Sequence, residues 1–96
     1  MAQFTVRVEL HHAELPDYER LHGAMKQKGF SRQIISDDGK TYHMSWAEYN
    51  GSGNLTSGQV LDIARQAANS TGKENAVFVT EAASRAWIGL SASASA

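Results

Sequence analysis

The fold is decided by the stretch QFTVRVEL at residues 3–10, in which apolar and polar side chains alternate without a break. The side chains on one face are Phe4, Val6, Val8 and Leu10. A strict period of two over this length is characteristic of a β-strand with one buried face and one polar face. We therefore predict a strand here, and we expect the later elements to pack on it or to pair beside it.

Two amphipathic helices are predicted from apolar side chains at helical spacing. Pro16 suits the first position of one helix, because its missing N–H has no partner there in any case. Thr56 and Gln59 have the spacing of a capping box, which marks the start of the other helix. The residues predicted to form the core with the first strand are Val6, Val8, Leu21, Met25, Val60, Ile63 and Phe78.

Further strands are predicted at residues 30–36, 41–49, 75–81 and 85–90, where β-branched and aromatic residues are frequent. An Asp-Gly pair between the first two of these indicates a hairpin. Two adjacent isoleucines leave open which face of the first one is buried. The glycine-rich stretch after residue 49 is predicted to be a loop over residues 50–54.

The predicted order of elements is β-α-β-β-α-β with one more strand at the C-terminus. This α+β order is the split β-α-β pattern of the ferredoxin-like fold, with both helices on one face and residues 85–90 at a sheet edge. Residues 1–90 are predicted to form a single domain, and the Ser-Ala repeat at residues 91–96 a disordered tail. An apolar edge strand carrying Trp87 and Ile88 invites pairing, so we also predict a homodimer.

Charge and composition exclude several classes of protein. The 9 basic and 10 acidic residues give a net charge of about −1, which argues against non-specific nucleic-acid binding. The absence of cysteine excludes disulfides and thiolate metal sites. Neither a long apolar run nor a signal peptide is visible, so a cytoplasmic location without membrane contact is expected.

Residues at the end of the first predicted strand are the first candidates for chemistry. Imidazole groups serve as acids and bases near neutral pH and as metal ligands, and His11 and His12 stand beside Glu9. A solvated loop between strand and helix explains the same residues. Arg7 lies one step back on the face of Glu9, where it would form an ion pair, contact water or meet a partner.

A second set of candidates combines basic and aromatic residues on neighbouring strands. Recognition of single-stranded RNA uses stacking on aromatic rings and contacts between basic groups and phosphates. Arg32, His43 and Arg85 could supply such contacts together with Arg7. An ordinary solvated surface is the other interpretation.

The chain resembles the GhoS-type antitoxin family of type V toxin–antitoxin systems over residues 2–90. The resemblance is carried by the opening FTVRVEL, the step KGFSR into the hairpin, the string AEYN and the Leu-Thr start of the second helix. It implies a ferredoxin-like fold similar to the small CRISPR-associated nucleases, and endoribonuclease action on a toxin messenger. Those nucleases carry an acidic residue at the end of the first strand, where Glu9 is the nearest match and no aspartate is present.

The sequence therefore leaves three hypotheses about function. The resemblance favours an antitoxin that binds or cleaves RNA. If it cleaves RNA, the catalytic residues expected from acid–base chemistry at the end of the first strand are Glu9, His11 and His12, without a metal or cofactor. The near-neutral charge favours a non-enzymatic, dimeric protein-interaction module of the same fold. A regulatory domain that binds a small ligand is the third hypothesis.

Overall fold

The computed structural model describes residues 1–93, which form five strands and two helices in two antiparallel sheets. The predicted α+β class is confirmed. The main sheet has the order β4-β1-β5, and β2 pairs with β3 in a separate sheet. The elements are β1 (Ala2–Leu10), α1 (Leu15–Gln27), β2 (Gln33–Ile35), β3 (Thr41–His43), β4 (Glu48–Gly53), α2 (Ser57–Asn69) and β5 (Asn75–Glu81).

The first strand lies at the centre of the main sheet, antiparallel to both neighbours. Val6 lies opposite Tyr49 of β4 and Val79 of β5, while Arg7 lies opposite Phe78. The even-numbered side chains of β1 from Phe4 onward are buried, as the alternation predicts. The odd-numbered side chains face away from that core.

Both helices bury side chains in one core with β1. Burial is confirmed for Val6, Val8, Leu21, Met25 and Val60, and Ile63 packs against the core while only partly buried. The predicted burial of Phe78 is wrong, since this side chain is 69% exposed. Its partner in the register is Arg7, so Phe78 lies on the face away from the helices, and Val77 and Val79 pack on the core instead.

The helix starts are set by local side-chain chemistry. In α2 the capping box is confirmed: the Gln59 amide donates to the Thr56 hydroxyl at 3.1 Å, and the Thr56 amide donates to the Gln59 side chain at 2.9 Å. In α1 the Glu14 amide donates to the Asp17 carboxylate at 3.0 Å, which holds the pKa of Asp17 below its usual range. Neither helix in residues 1–93 is long and apolar enough to cross a membrane.

The hairpin predicted in the middle of the chain is confirmed, because β2 pairs antiparallel with β3, but both strands are shorter than the predicted 30–36 and 41–49. The prediction of a single strand over residues 41–49 is wrong, because β3 ends at His43 and the chain turns through Ala47, whose φ is +67°. The predicted loop over residues 50–54 is wrong as well, because β4 runs to Gly53 and pairs with β1. Gly51 is required there, since a Cβ would lie 2.5 Å from the ring of buried Phe30. Pairing with β1 therefore outweighs the turn-forming composition.

The chain after β5 forms a strap, residues 82–93, in place of the predicted edge strand. Residues 85–90 are not a strand, so the support that they gave to a homodimer is lost, and the homodimer stays a prediction. The Ala82 amide still donates to Gln3, but the strap then reaches β3, where Ala92 bridges Tyr42. Residues 91–93 of the predicted disordered tail thus lie beside β3, and residues 94–96 lie outside the described residues.

Candidate nucleic-acid interface

The surface of the main sheet that faces away from the helices is here called the polar face. Its residues come from three strands, and their positions are fixed by the register with β1. A site built on paired strands is held more precisely than a site on loops. The polar face consists of Gln3, Thr5, Arg7, Glu9, Glu48, Asn50, Ser52, Ala76, Phe78 and Thr80.

The structure brings two of the three predicted catalytic residues into contact. His11 Nε2 lies 3.2 Å from Glu9 Oε1, and both side chains are accessible to solvent. The His11 amide donates to the Glu74 carbonyl at 2.8 Å, which extends the β1–β5 pairing by one residue. His12 follows in a left-handed conformation with φ of 51°, and its carbonyl accepts from Lys73 Nζ at 3.2 Å. His12 therefore directly follows the Glu9–His11 pair in the chain, and Lys73 binds its backbone carbonyl.

Arg85 lies on the polar face, where it fastens the strap to the sheet. One guanidinium nitrogen donates to Asn50 Oδ1 at 2.8 Å and to Thr5 Oγ1 at 3.4 Å. The other donates to Gln3 Oε1 at 3.3 Å. Partial burial lowers the pKa of Arg85 from its ordinary value. The strap thus covers one end of the polar face and leaves Arg7 and the Glu9 end open.

The remaining predicted RNA-binding residues lie elsewhere. The Arg32 guanidinium carbon lies 4.7 Å from the centre of the Trp46 ring, beside His22 of α1. This position is on the helix side of the sheet. His43 is exposed on β3, in the separate two-stranded sheet. The predicted set is therefore divided between different surfaces, and two of its members are not near the polar face.

Sequence reasoning missed a cluster around His22. His22 Nδ1 lies 2.6 Å from the Tyr49 hydroxyl, and the ring of Trp46 meets His22 edge-on with centroids 4.7 Å apart. Burial and the nearby positive charge of Arg32 lower the pKa of His22 to about 4, and burial raises the pKa of Tyr49. Both groups are therefore neutral at pH 7. The hydrogen-bonded residues are 27 positions apart, so the only sequence signal was a histidine on the apolar stripe of α1.

The neutral His22 makes stability depend on pH in mildly acidic solution. Its pKa is lowered from 6.5 to about 4 on folding, so below pH 6.5 the unfolded chain takes up a proton more readily than the folded protein. The stabilisation from this group is fully present above pH 6.5 and is lost as the pH falls towards 4. We expect a loss of about 1 kcal/mol across that window, because the ring is partly exposed and solvent screens the effect.

Urea unfolding at several pH values between 7.5 and 4.5 measures this loss. The matched variant is His22→Gln, which keeps a polar group for the Tyr49 hydroxyl but has no titratable ring. Its free energy of unfolding should change less over the window than that of the wild type. Equal changes in the two proteins would show that another group is responsible.

Phe78 was also missed as a surface residue, although the register places it directly beside Arg7.

Within residues 1–93, no three His, Asp or Glu side chains are grouped closely enough to hold a metal ion. No protein-family model matches the chain, and no curated protein matches it. The polar face therefore has to be interpreted from its own geometry.

Proposed function

We propose that the protein is a GhoS-like antitoxin that binds a single-stranded RNA across the polar face and cleaves it beside Glu9 and His11. One observation carries the proposal: on a single sheet face, Arg7 lies directly beside exposed Phe78 of β5 and two residues along β1 from Glu9, which contacts His11. An aromatic ring on a sheet can stack on a base, and a guanidinium can meet the adjacent phosphate. An imidazole beside a carboxylate can move a proton.

Cleavage would proceed by attack of the RNA 2′-hydroxyl on the neighbouring phosphorus. Neutral His11, oriented by Glu9, accepts the 2′-hydroxyl proton while the new P–O bond forms. The bond to the 5′-oxygen breaks, and protonated His12 donates a proton to that leaving oxygen. The products are a 2′,3′-cyclic phosphate and a 5′-hydroxyl. Arg7 offsets the charge that develops on the phosphate oxygens.

The proposal includes a ferredoxin-like arrangement of the elements. Ser31 and Asn50 exchange two backbone hydrogen bonds, of 2.9 and 2.6 Å, so the segment before β2 lies along β4. That is the place of the fourth strand in a split β-α-β sheet, which supports the assignment. A cytoplasmic location follows from the proposed action on a messenger RNA.

RNA binding is tested by fluorescence polarisation with a labelled single-stranded RNA at low salt. We expect the wild type to bind, and Arg7→Gln and Phe78→Leu each to raise the Kd about tenfold, since stacking on one base is worth about 1–3 kcal/mol. Arg65→Gln is the control, because Arg65 lies exposed on α2, where its guanidinium donates to its helix neighbour Asn69. Absence of wild-type binding would overturn the proposal.

The second candidate function is the non-enzymatic, dimeric interaction module. It is favoured by the net charge of about −1 and by two large apolar side chains on the surface, Phe78 and Ile88, which are 69% and 97% exposed. A protein partner would replace RNA on the polar face. A folded protein that binds no single-stranded RNA would favour this function.

A further inference from the structure

The outer edge of β5 has no strand beside it within residues 1–93, where β5 pairs with β1 alone. The strap does not cover this edge, because Ala82 is still bonded to Gln3 and Arg85 then reaches across to Asn50 of β4. Proteins usually protect a sheet edge with lysine, proline or a bulge. The sequence of β5, NAVFVTE, contains neither lysine nor proline. A second strand therefore has free access to this edge.

The pairing with β1 determines which backbone groups of β5 point outward. The His11 amide donates to Glu74, and the Ala82 amide donates to Gln3. Bonded pairs alternate along an antiparallel ladder, so the even-numbered residues of β5 bond to β1. The amides and carbonyls of Val77 and Val79 consequently point to the open edge, and so do those at the two ends of the strand.

We propose that two copies of the protein pair antiparallel through β5, about a two-fold axis at Phe78, and so join two three-stranded sheets into one. Phe78 is the middle residue of β5, so this register pairs the strand over its full length. Val77 of each copy lies opposite Val79 of the other, where outward amides and carbonyls meet. Asn75 lies opposite Glu81, so no like charges face each other.

Pairing about this axis also covers the exposed ring of Phe78. The two Phe78 residues form a non-hydrogen-bonded pair, in which Cα atoms lie about 4.5 Å apart and side chains approach most closely. Each ring, 69% exposed in the single chain, then packs against its copy on the polar face. The inference does not rest on the proposed RNA binding, because backbone pairing and ring contact are sufficient for it. Since the dimer covers the Phe78 ring, base stacking on that ring belongs to the monomer, and pairing through β5 competes with it.

Cysteine cross-linking tests the register, because the natural chain contains no cysteine. Phe78→Cys places two thiols across the axis at a Cα separation of about 4.5 Å, within the range of a disulfide. A second test keeps Phe78: Ala76 of one copy lies opposite Thr80 of the other in the proposed register. Ala76→Cys mixed with Thr80→Cys should form a disulfide-linked dimer under mild oxidation, and neither variant should do so alone. Equal cross-linking of each variant alone and of the mixture would overturn the register.

Sedimentation of the unmodified chain tests the association itself. We expect a dimer at tens of micromolar, and a monomer for Phe78→Lys, whose charges would face each other across the axis. Ile88→Lys is the control, since Ile88 is more exposed than Phe78 but lies on the strap, and it should remain dimeric. A monomeric wild type up to about 300 µM, or loss of the dimer in both variants, would refute the proposal. RNA binding by a monomeric wild type would leave the proposed function intact.

Discussion

Replacing Val8 with aspartate is expected to lower the free energy of unfolding by about 3–5 kcal/mol, the usual cost of an uncompensated buried charge. Val8 is only 2% exposed at the centre of the main sheet, opposite Val77 of β5. Its neighbours in the core are apolar side chains of β1 and of both helices. Since a domain of this size is stable by about 5–15 kcal/mol, the variant should melt far below the wild type.

Arg7→Ala is the matched control, because Arg7 stands next in the chain and its side chain is exposed on the polar face. This change should alter the free energy of unfolding by less than about 0.5 kcal/mol. Thermal unfolding followed by circular dichroism measures both variants. A wild-type melting temperature for Val8→Asp would contradict the burial of this face of β1 against the two helices.

Replacing His11 or His12 with alanine is expected to lower the rate of RNA cleavage by about 100-fold or more, as loss of a general acid or base does. The expectation for His11 is tied to its contact with Glu9 at 3.2 Å, which orients the ring. For His12 it is tied to the left-handed turn that begins directly after β1. Cleavage of a labelled single-stranded RNA under single-turnover conditions gives the rate.

The control variant is His43→Ala, because His43 lies on β3 in the separate sheet. The rate at which this variant cleaves RNA should stay within about twofold of the wild-type rate. The wild-type rate should also be unchanged in EDTA, since the proposed route uses protein groups alone. Full activity of both His11→Ala and His12→Ala would place the cleavage site elsewhere. Loss of activity in EDTA would instead indicate a metal held near Glu9.

Elements whose signal is local could be predicted from the chain. The alternation in residues 3–10 identified β1 and its buried face, because every second side chain of a strand points the same way. The capping box at Thr56 and Gln59 placed the start of α2, because its hydrogen bonds join residues three apart. Val60, Leu21 and Met25 were assigned to the core by helical spacing, and the structure buries them.

Sequence patterns could not predict the features that depend on residues far apart in the chain. The Gly-rich stretch after Tyr49 extends β4 because β1 supplies the hydrogen bonds, and Phe30 fills the space that a side chain at Gly51 would take. Phe78 was assigned to the wrong face, because an apolar run does not show which of its residues face the helices. The register with Arg7 decides that.

In the candidate site, too, contacts between near neighbours in the chain could be predicted, and contacts between distant residues could not. Glu9 and His11 are two residues apart, and their proximity could be expected from their positions at the end of β1. The approach of Phe78 to Arg7, the fastening of Arg85 to Asn50 and the His22–Tyr49 bond each join parts of the chain far apart in sequence. Periodicity and capping describe only the chain's near neighbours. Such long-range contacts depend instead on strand order and register, which come from the packing of the whole core.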